Sequence, residues 1–257
     1  MIIGAQLYTV TKSCQTPEDL AETLKRVADM GYRSVQLSGV CEYDPAWMDE
    51  QLKKNGLVCA LTHTEPKKIL EDVDAVCRDH LTIGCKNIGI GMMPRGDHSV
   101  INEECYADFK ANFTEPMKKI RENGLKFYYH NHHYEFARCA DGRWLIDHMI
   151  DDFSTDLLNF TLDMYWVQFG GCDPVEWLYK LKGRLECIHL KDLAIVGKEQ
   201  RMAPIGVGNL NWEKILVAAE EVGTKHALVE QDKSYDDDPF DCLKKSLDYL
   251  RALGYKD

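Results

Sequence analysis

No CxxC pair occurs among the ten cysteines, no excess of basic residues offsets the acids, and no apolar run is long enough to cross a bilayer. The cysteines stand singly (Cys14, Cys41, Cys59, Cys77, Cys85, Cys105, Cys139, Cys172, Cys187, Cys242), several inside apolar runs such as Leu57-Val58-Cys59-Ala60-Leu61. They read as small buried hydrophobes in a reducing compartment, not as a disulfide frame. With 31 Lys and Arg against 42 Asp and Glu, the net charge of −11 excludes the basic surface that nucleic acid demands and does not favour an anionic membrane. The opening Met1-Ile2-Ile3-Gly4-Ala5 has no basic stretch followed by a long apolar one, so neither a signal peptide nor a membrane span is expected, and the cytoplasm is the expected compartment. Low-complexity segments and linkers are missing too, and no Gly-rich phosphate turn follows the first apolar run, which argues against a doubly wound nucleotide-binding sheet.

What is present is a repeated structural unit. Six times an amphipathic segment closes near a glycine that leads into an apolar run: Gly31, Gly56, Gly84, Gly124, Gly183 and Gly223. The runs that follow predict strands at Ser34–Leu37, Val58–Leu61, Asn87–Ile90, Lys126–Tyr129, Glu186–His189 and Ala227–Glu230, and Ile3–Leu7 and Asn159–Leu162 complete a set of eight. Helix starts fall between them. Thr16-Pro17-Glu18, Asp173-Pro174 and Asp238-Pro239 each place a capping side chain before a proline at the first helical position, and Asn211 caps another. Eight alternations in 257 residues, 45% of them apolar, predict one α/β domain over residues 1–257, a single (β/α)8 TIM barrel.

Four of the predicted strands end in groups that bind metals: Tyr129-His130-Asn131-His132, Leu162-Asp163, His189-Leu190-Lys191-Asp192 and Val229-Glu230. A lone strand-end histidine is ordinarily structural, and a lone aspartate ordinarily caps a turn. Four successive strand ends finishing in His, Asp, His and Glu point instead to one site, because the carboxyl ends of barrel strands converge on one face. Two-residue periodicity puts His130 with His132, His189 with Lys191, and Glu230 with Asp232. Two imidazoles and two carboxylates suit one divalent ion (Mn, Co, Fe or Zn) better than the all-oxygen shell of calcium. The expected metal ligands are His130, Asp163, His189 and Glu230, with His132 competing for the place of His130. Around them, His63 and Lys191 are expected to hold substrate oxygens. Glu135 is expected either to back a ligand or to act as acid/base. Gln6, Tyr8, Gln36, His132 and Trp166 are expected to line the pocket, with the Gly206-Val207-Gly208 loop close by.

The ordered set YHNHHYEF (Tyr129 to Phe136), LDMYW (Leu162 to Trp166), HLKD (His189 to Asp192), PIGVGNLNW (Pro204 to Trp212) and LVEQD (Leu228 to Asp232), with GAQLYTV at the start, resembles the xylose-isomerase-like TIM-barrel superfamily of sugar phosphate isomerases and epimerases, over essentially the whole chain. The resemblance implies a metal-dependent enzyme acting on keto-sugars and their relatives, with His130, Asp163, His189 and Glu230 at the family's ligand positions. His130 stands where the ketose 3-epimerases carry a Glu, which removes their symmetrical two-Glu mechanism. The superfamily's endonuclease branch needs a His three residues after the strand-six Asp and a later Asp-x-His; this chain has Trp166 at the first place and lacks the second.

The chemistry so implied is isomerisation or epimerisation of a keto-sugar or related polyol-derived ketone through an enediolate. Glu230 is the general base, and Glu135 or a water returns the proton. Elimination by an inosose-dehydratase-like or C-deglycosylation-subunit-like lyase is the alternative, and a non-catalytic sugar-binding or accessory barrel is a reading of another class. The expected partner is a small-molecule sugar, unphosphorylated for want of a basic cluster; nucleic acid and membrane are not expected, and the exposed barrel helices leave room for a homo-oligomer.

Overall fold

The computed structural model describes residues 1–255. Eight parallel strands close into a barrel: β1 (Ile2–Gln6), β2 (Ser34–Leu37), β3 (Val58–His63), β4 (Asn87–Ile90), β5 (Lys126–His130), β6 (Asn159–Asp163) and β7 (Cys187–Leu190), and after a hairpin of β8 (Asp192–Val196) and β9 (Glu199–Ala203), β10 (His226–Val229). Helices alternate with the barrel strands, and β10 pairs with β1 to leave no open edge. The expected single TIM barrel is what the chain forms. All six glycines of the repeat have positive φ, as the turn from helix to strand requires; Gly31, at φ +112°, closes the helix Pro17–Met30 by donating its N–H to Ala28 and Val27 carbonyls. The four foreseen caps also form: Thr16, Asp173, Asn211 and Asp238 each accept an N–H from the first turn of their helix. All ten cysteines are free and eight are buried. No helix among the described residues is long and apolar enough to cross a membrane.

Packing explains why the polar strand ends gather rather than scatter. Leu61, Tyr128, Cys187 and Leu228 form one buried cluster with Ala60. Each stands two residues before His63, His130, His189 or Glu230, hence one layer deeper on the same inward face. These apolar side chains fill the barrel and give the polar layer a dry floor. Register aligns that layer: Asp163 pairs with His189 across β6 and β7, and Glu230 donates its N–H to the Leu190 carbonyl at 2.9 Å.

One stretch departs from expectation. Residues 192–203, to which the repeat assigned no element, form the antiparallel β8–β9 hairpin, closed by the two-residue turn Gly197-Lys198 with Gly197 at φ +63°. It lies outside the barrel order, so the βα repeat gave no place for it. Asp192 anchors it: its carboxylate accepts N–H groups from Leu193, Gly206, Gly208 and Leu210, and the Trp212 indole N–H at 2.7 Å. Only glycine fits at 208, because a Cβ there would stand 2.4 Å from Asp192 Oδ1.

Candidate metal centre

His130, Asp163, His189 and Glu230 each bring one donor atom to a cluster in which all four lie within 4.8 Å of one another, and all four residues are buried. His130 Nε2 is 3.3 Å from Asp163 Oδ2; His189 Nδ1 is 3.6 Å from the same oxygen and 3.0 Å from Glu230 Oε2. His132 is not of this group: its ring packs against His130 at 4.7 Å and Trp166 at 5.2 Å and lines the cavity above.

Each donor is aimed from behind. The His130 Nδ1–H donates to the Gly91 carbonyl at 3.0 Å, which turns the Nε2 lone pair inward. The His189 Nε2–H donates to Gln36 Oε1 at 2.6 Å, which frees Nδ1. Asp163 Oδ1 accepts the Trp166 N–H and Asn131 Oδ1 accepts the Asp163 N–H, so Oδ2 faces the centre. Glu230 Oε1 accepts the Gln6 amide at 3.0 Å, leaving Oε2. Outer partners of this kind fix tautomer and orientation in metal sites.

The donor set fits a divalent ion by what it leaves undone. His189 Nδ1 is buried and makes no aligned hydrogen bond, while Glu230 Oε2, 3.0 Å from it, is held only by charge, against the Lys191 ammonium at 2.7 Å. Orphaned polar atoms are costly in a dry interior. Charge points the same way. Asp163, Glu230 and Asp232 surround the buried Lys191 ammonium at 3.0, 2.7 and 3.0 Å, three carboxylates against that ammonium and the proton they hold on His189, which an ion would displace. A divalent ion would balance that excess.

The electrostatics of the cluster are mutual. Burial raises the Asp163 and Glu230 carboxyls, but Lys191 and the neighbouring histidines outweigh it and hold both well below the carboxylate range. Burial lowers His189, yet Glu230 and Asp163 lift it to about 9; Lys191 is likewise held charged by Asp163, Glu230 and Asp232 against its burial. His63 goes the other way: burial, then the nearby His130 and His189, push it well below its ordinary value.

Over the donors opens a cavity of about 530 Å³ lined by His63, His130, His132, Lys191, Glu230 and Asp232 together with Tyr8 and the loop after β4. His63 accepts or donates at Nδ1 with Ser38 Oγ, 3.2 Å away, while its buried Nε2 has no partner. Four of the residues expected around the site, Gln6, Trp166, Glu135 and Gln36, do not line this cavity. Gln6 is fully buried and bridges Glu230, at the end of the neighbouring strand, and the Tyr8 N–H, so its amide has no end free for substrate. Trp166 stands behind the wall, against His132 and His133, with its ring 5.4 Å from the Lys191 ammonium. Glu135 is sealed below the surface, accepting the Tyr129 hydroxyl at 2.5 Å and the His132 N–H at 2.8 Å; burial raises its carboxyl. Through these contacts Glu135 fixes the His130–His132 turn from beneath. Gln36 also serves as a support instead of lining the pocket. The Gly91 carbonyl, Asn131 and the Asp192 anchor were not foreseen, since a backbone carbonyl carries no sequence signal and Asn131 and Asp192 read as mere neighbours of histidine and lysine.

Comparison with known proteins identifies the family. An inosose dehydratase of Geobacillus kaustophilus is 32% identical over 204 residues, which are 70% of this chain and 65% of that enzyme, so less than two thirds of the relative's length is spanned. Two solved sugar phosphate isomerase/epimerase structures from Parabacteroides distasonis superpose with TM-scores of 0.82 and 0.81, at 23% and 25% identity, covering 99% of this chain and 95% and 99% of theirs. Residues 24–253 match the profile of a family described as xylose isomerase-like TIM barrel. With that match across a closed eight-stranded parallel barrel, the chain belongs to the xylose isomerase-like TIM-barrel family.

Proposed function

We propose that the chain is a divalent-metal-dependent isomerase or epimerase that removes the proton beside the carbonyl of a keto-sugar or related polyol-derived ketone and returns it to the resulting enediolate. One observation carries this reading: four buried donors converge, one of them with an unsatisfied ring nitrogen, at the floor of an open cavity. His130, Asp163, His189 and Glu230 would hold the ion (Mn, Co, Fe or Zn), which when bound supplies Lewis-acid polarisation of a carbonyl oxygen.

The chain's own groups do the rest. Glu230 takes the proton: Gln6 fixes one of its oxygens, the other faces the cavity, and Lys191 keeps it ionised. The Lys191 ammonium, held charged, stabilises negative charge that develops on a substrate oxygen. His63, neutral and with Nε2 unpartnered, positions a second oxygen, and Tyr8 and His132 border the ring. The partner is a small sugar; a −11 chain is no nucleic-acid enzyme, and the compartment we assign is the cytoplasm.

A second reading, elimination, is favoured by the sealing of Glu135. With that carboxylate withdrawn, no carboxylate pair of the two-Glu kind flanks the substrate. Expelling a β-hydroxyl needs only Glu230 as base and Lys191 as acid, and the 32% identical relative is an inosose dehydratase. Incubating the protein with Mn²⁺, Co²⁺ or Zn²⁺ and a panel of ketoses and keto-glycosides in D₂O separates the cases by NMR. Deuterium at the carbon next to the carbonyl together with an isomeric sugar supports the first reading. A dehydrated product moves the assignment to the second. No exchange with any substrate under any metal contradicts both and leaves an accessory, sugar-binding barrel.

A further inference from the structure

Beside the catalytic cavity lies a second one of about 490 Å³, between the segment after β1 and the loop after β10. The two share Tyr8 and Asp232 in their walls. Each alone is within the size of a small-ligand pocket, so together they exceed what a single sugar ring needs.

The second cavity has an aromatic at its junction and another in its wall. Tyr8 is 44% exposed, and its ring lies so close over Gly39 that a Cβ there would stand 2.7 Å from Tyr8 Cδ2. Tyr235 is 46% exposed and sits at φ +55°, the sole positive φ outside glycine among the described residues. A bulky residue keeps that conformation only when its surroundings hold it there, and such outliers gather at functional sites. Here the Tyr235 hydroxyl accepts the Met202 N–H of β9 at 3.2 Å, and the Arg201 guanidinium lies 4.8 Å from the ring. The hairpin thus fixes the ring while leaving it open to solvent. Proton transfer at Glu230 does not use this strained residue. The wall also carries as many lysines (Lys12, Lys233) as aspartates (Asp232, Asp237) and so no net charge.

We infer that the second cavity is a subsite for an uncharged ring carried by the reacting sugar, a second sugar unit or an aryl group, stacked on Tyr8 and Tyr235. This rests on the sugar-enzyme reading above and narrows it: the substrate is a substituted keto-sugar, not a free monosaccharide or a phosphate ester.

The test is binding, which does not depend on the reaction. Dissociation constants of metal-loaded protein are measured by ligand-observed NMR for fructose, for the keto-disaccharides palatinose and turanose, for p-nitrophenyl β-glucoside against glucose, and for fructose 6-phosphate. A ring-bearing sugar is expected to bind about tenfold tighter than its unsubstituted counterpart, the scale of aromatic stacking. That ratio falls below about threefold in a Tyr8→Ala/Tyr235→Ala variant and survives Tyr8→Phe. The disaccharide and aryl arms tell which ring the subsite prefers. Equal affinities with and without the ring, a ratio untouched by removing both tyrosines, or tighter binding of fructose 6-phosphate than of palatinose overturns the inference. Absence of deuterium exchange with the ratio intact would instead count against the proposed chemistry alone.

Discussion

Strands β5, β6 and β7 and the residue after β10 carry all four donors, whereas β1, β2 and the loop after β4 carry groups that aim them: Gln6 on Glu230, Gln36 on His189, the Gly91 carbonyl on His130. The two sides meet because closing the barrel makes its first and last strands neighbours and turns the inward side chains of all eight into one interior. Donor and support therefore come from far apart in sequence, Gln6 and Glu230 by 224 residues. The difference teaches that a donor's identity is a matter of chemical type, while its usefulness depends on a neutral amide or carbonyl that fixes one lone pair and turns another inward.

The sharpest way to break this division is to remove donors. His189→Ala or Asp163→Ala is expected to abolish most metal binding and to cut activity at least about a hundredfold. Glu230→Gln keeps one oxygen ligand, so some metal stays, yet C–H exchange falls by at least about a hundredfold, the scale of a lost general base. Parent-rate exchange in metal-bound Glu230→Gln would refute the enediolate assignment. Next come the supports. Gln6→Leu and Gln36→Leu lose the aiming bond but no donor, and titration with a chelator should show metal affinity weakened by about 10- to 100-fold, not lost. Equal losses from donor and support variants would erase the comparison.

Outside both groups the effects change in kind. Asp192→Ala strips the shared acceptor from five N–H groups, and thermal or urea unfolding should show a loss of about 3 kcal/mol or more, with one ion still bound. The smallest effect belongs to Glu135→Gln, which preserves the Tyr129 and His132 contacts in size and should leave metal content and exchange within about threefold of the parent. A hundredfold loss of exchange with metal intact would return Glu135 to the acid/base role that its sequence position suggested.

The donors were legible before the fold was, since His130, Asp163, His189 and Glu230 each end an apolar run and a repeated βα unit sends those ends to one face. The barrel was legible for the same reason: glycine stops and capped helix starts recur with the strands. What the sequence concealed was direction. Gln6 and Gln36 sit at strand ends like any pocket residue, and only the register across the barrel shows that their amides meet Glu230 and His189. Glu135 was left with two roles because it follows a histidine run, and a single short helical turn at Tyr134–Phe136 buries it. The hairpin hid in a stretch whose Gly197-Lys198 turn is a weaker signal than the Asn-Gly or Asp-Gly pair that announces most such turns.

The central claim, one ion held by these four residues, is tested most directly by metal content. Elemental analysis of the parent after mild purification or reconstitution should find close to one transition-metal ion per chain, and a variant lacking both the Asp163 and Glu230 carboxylates should hold almost none. Full occupancy in that double variant would contradict the site.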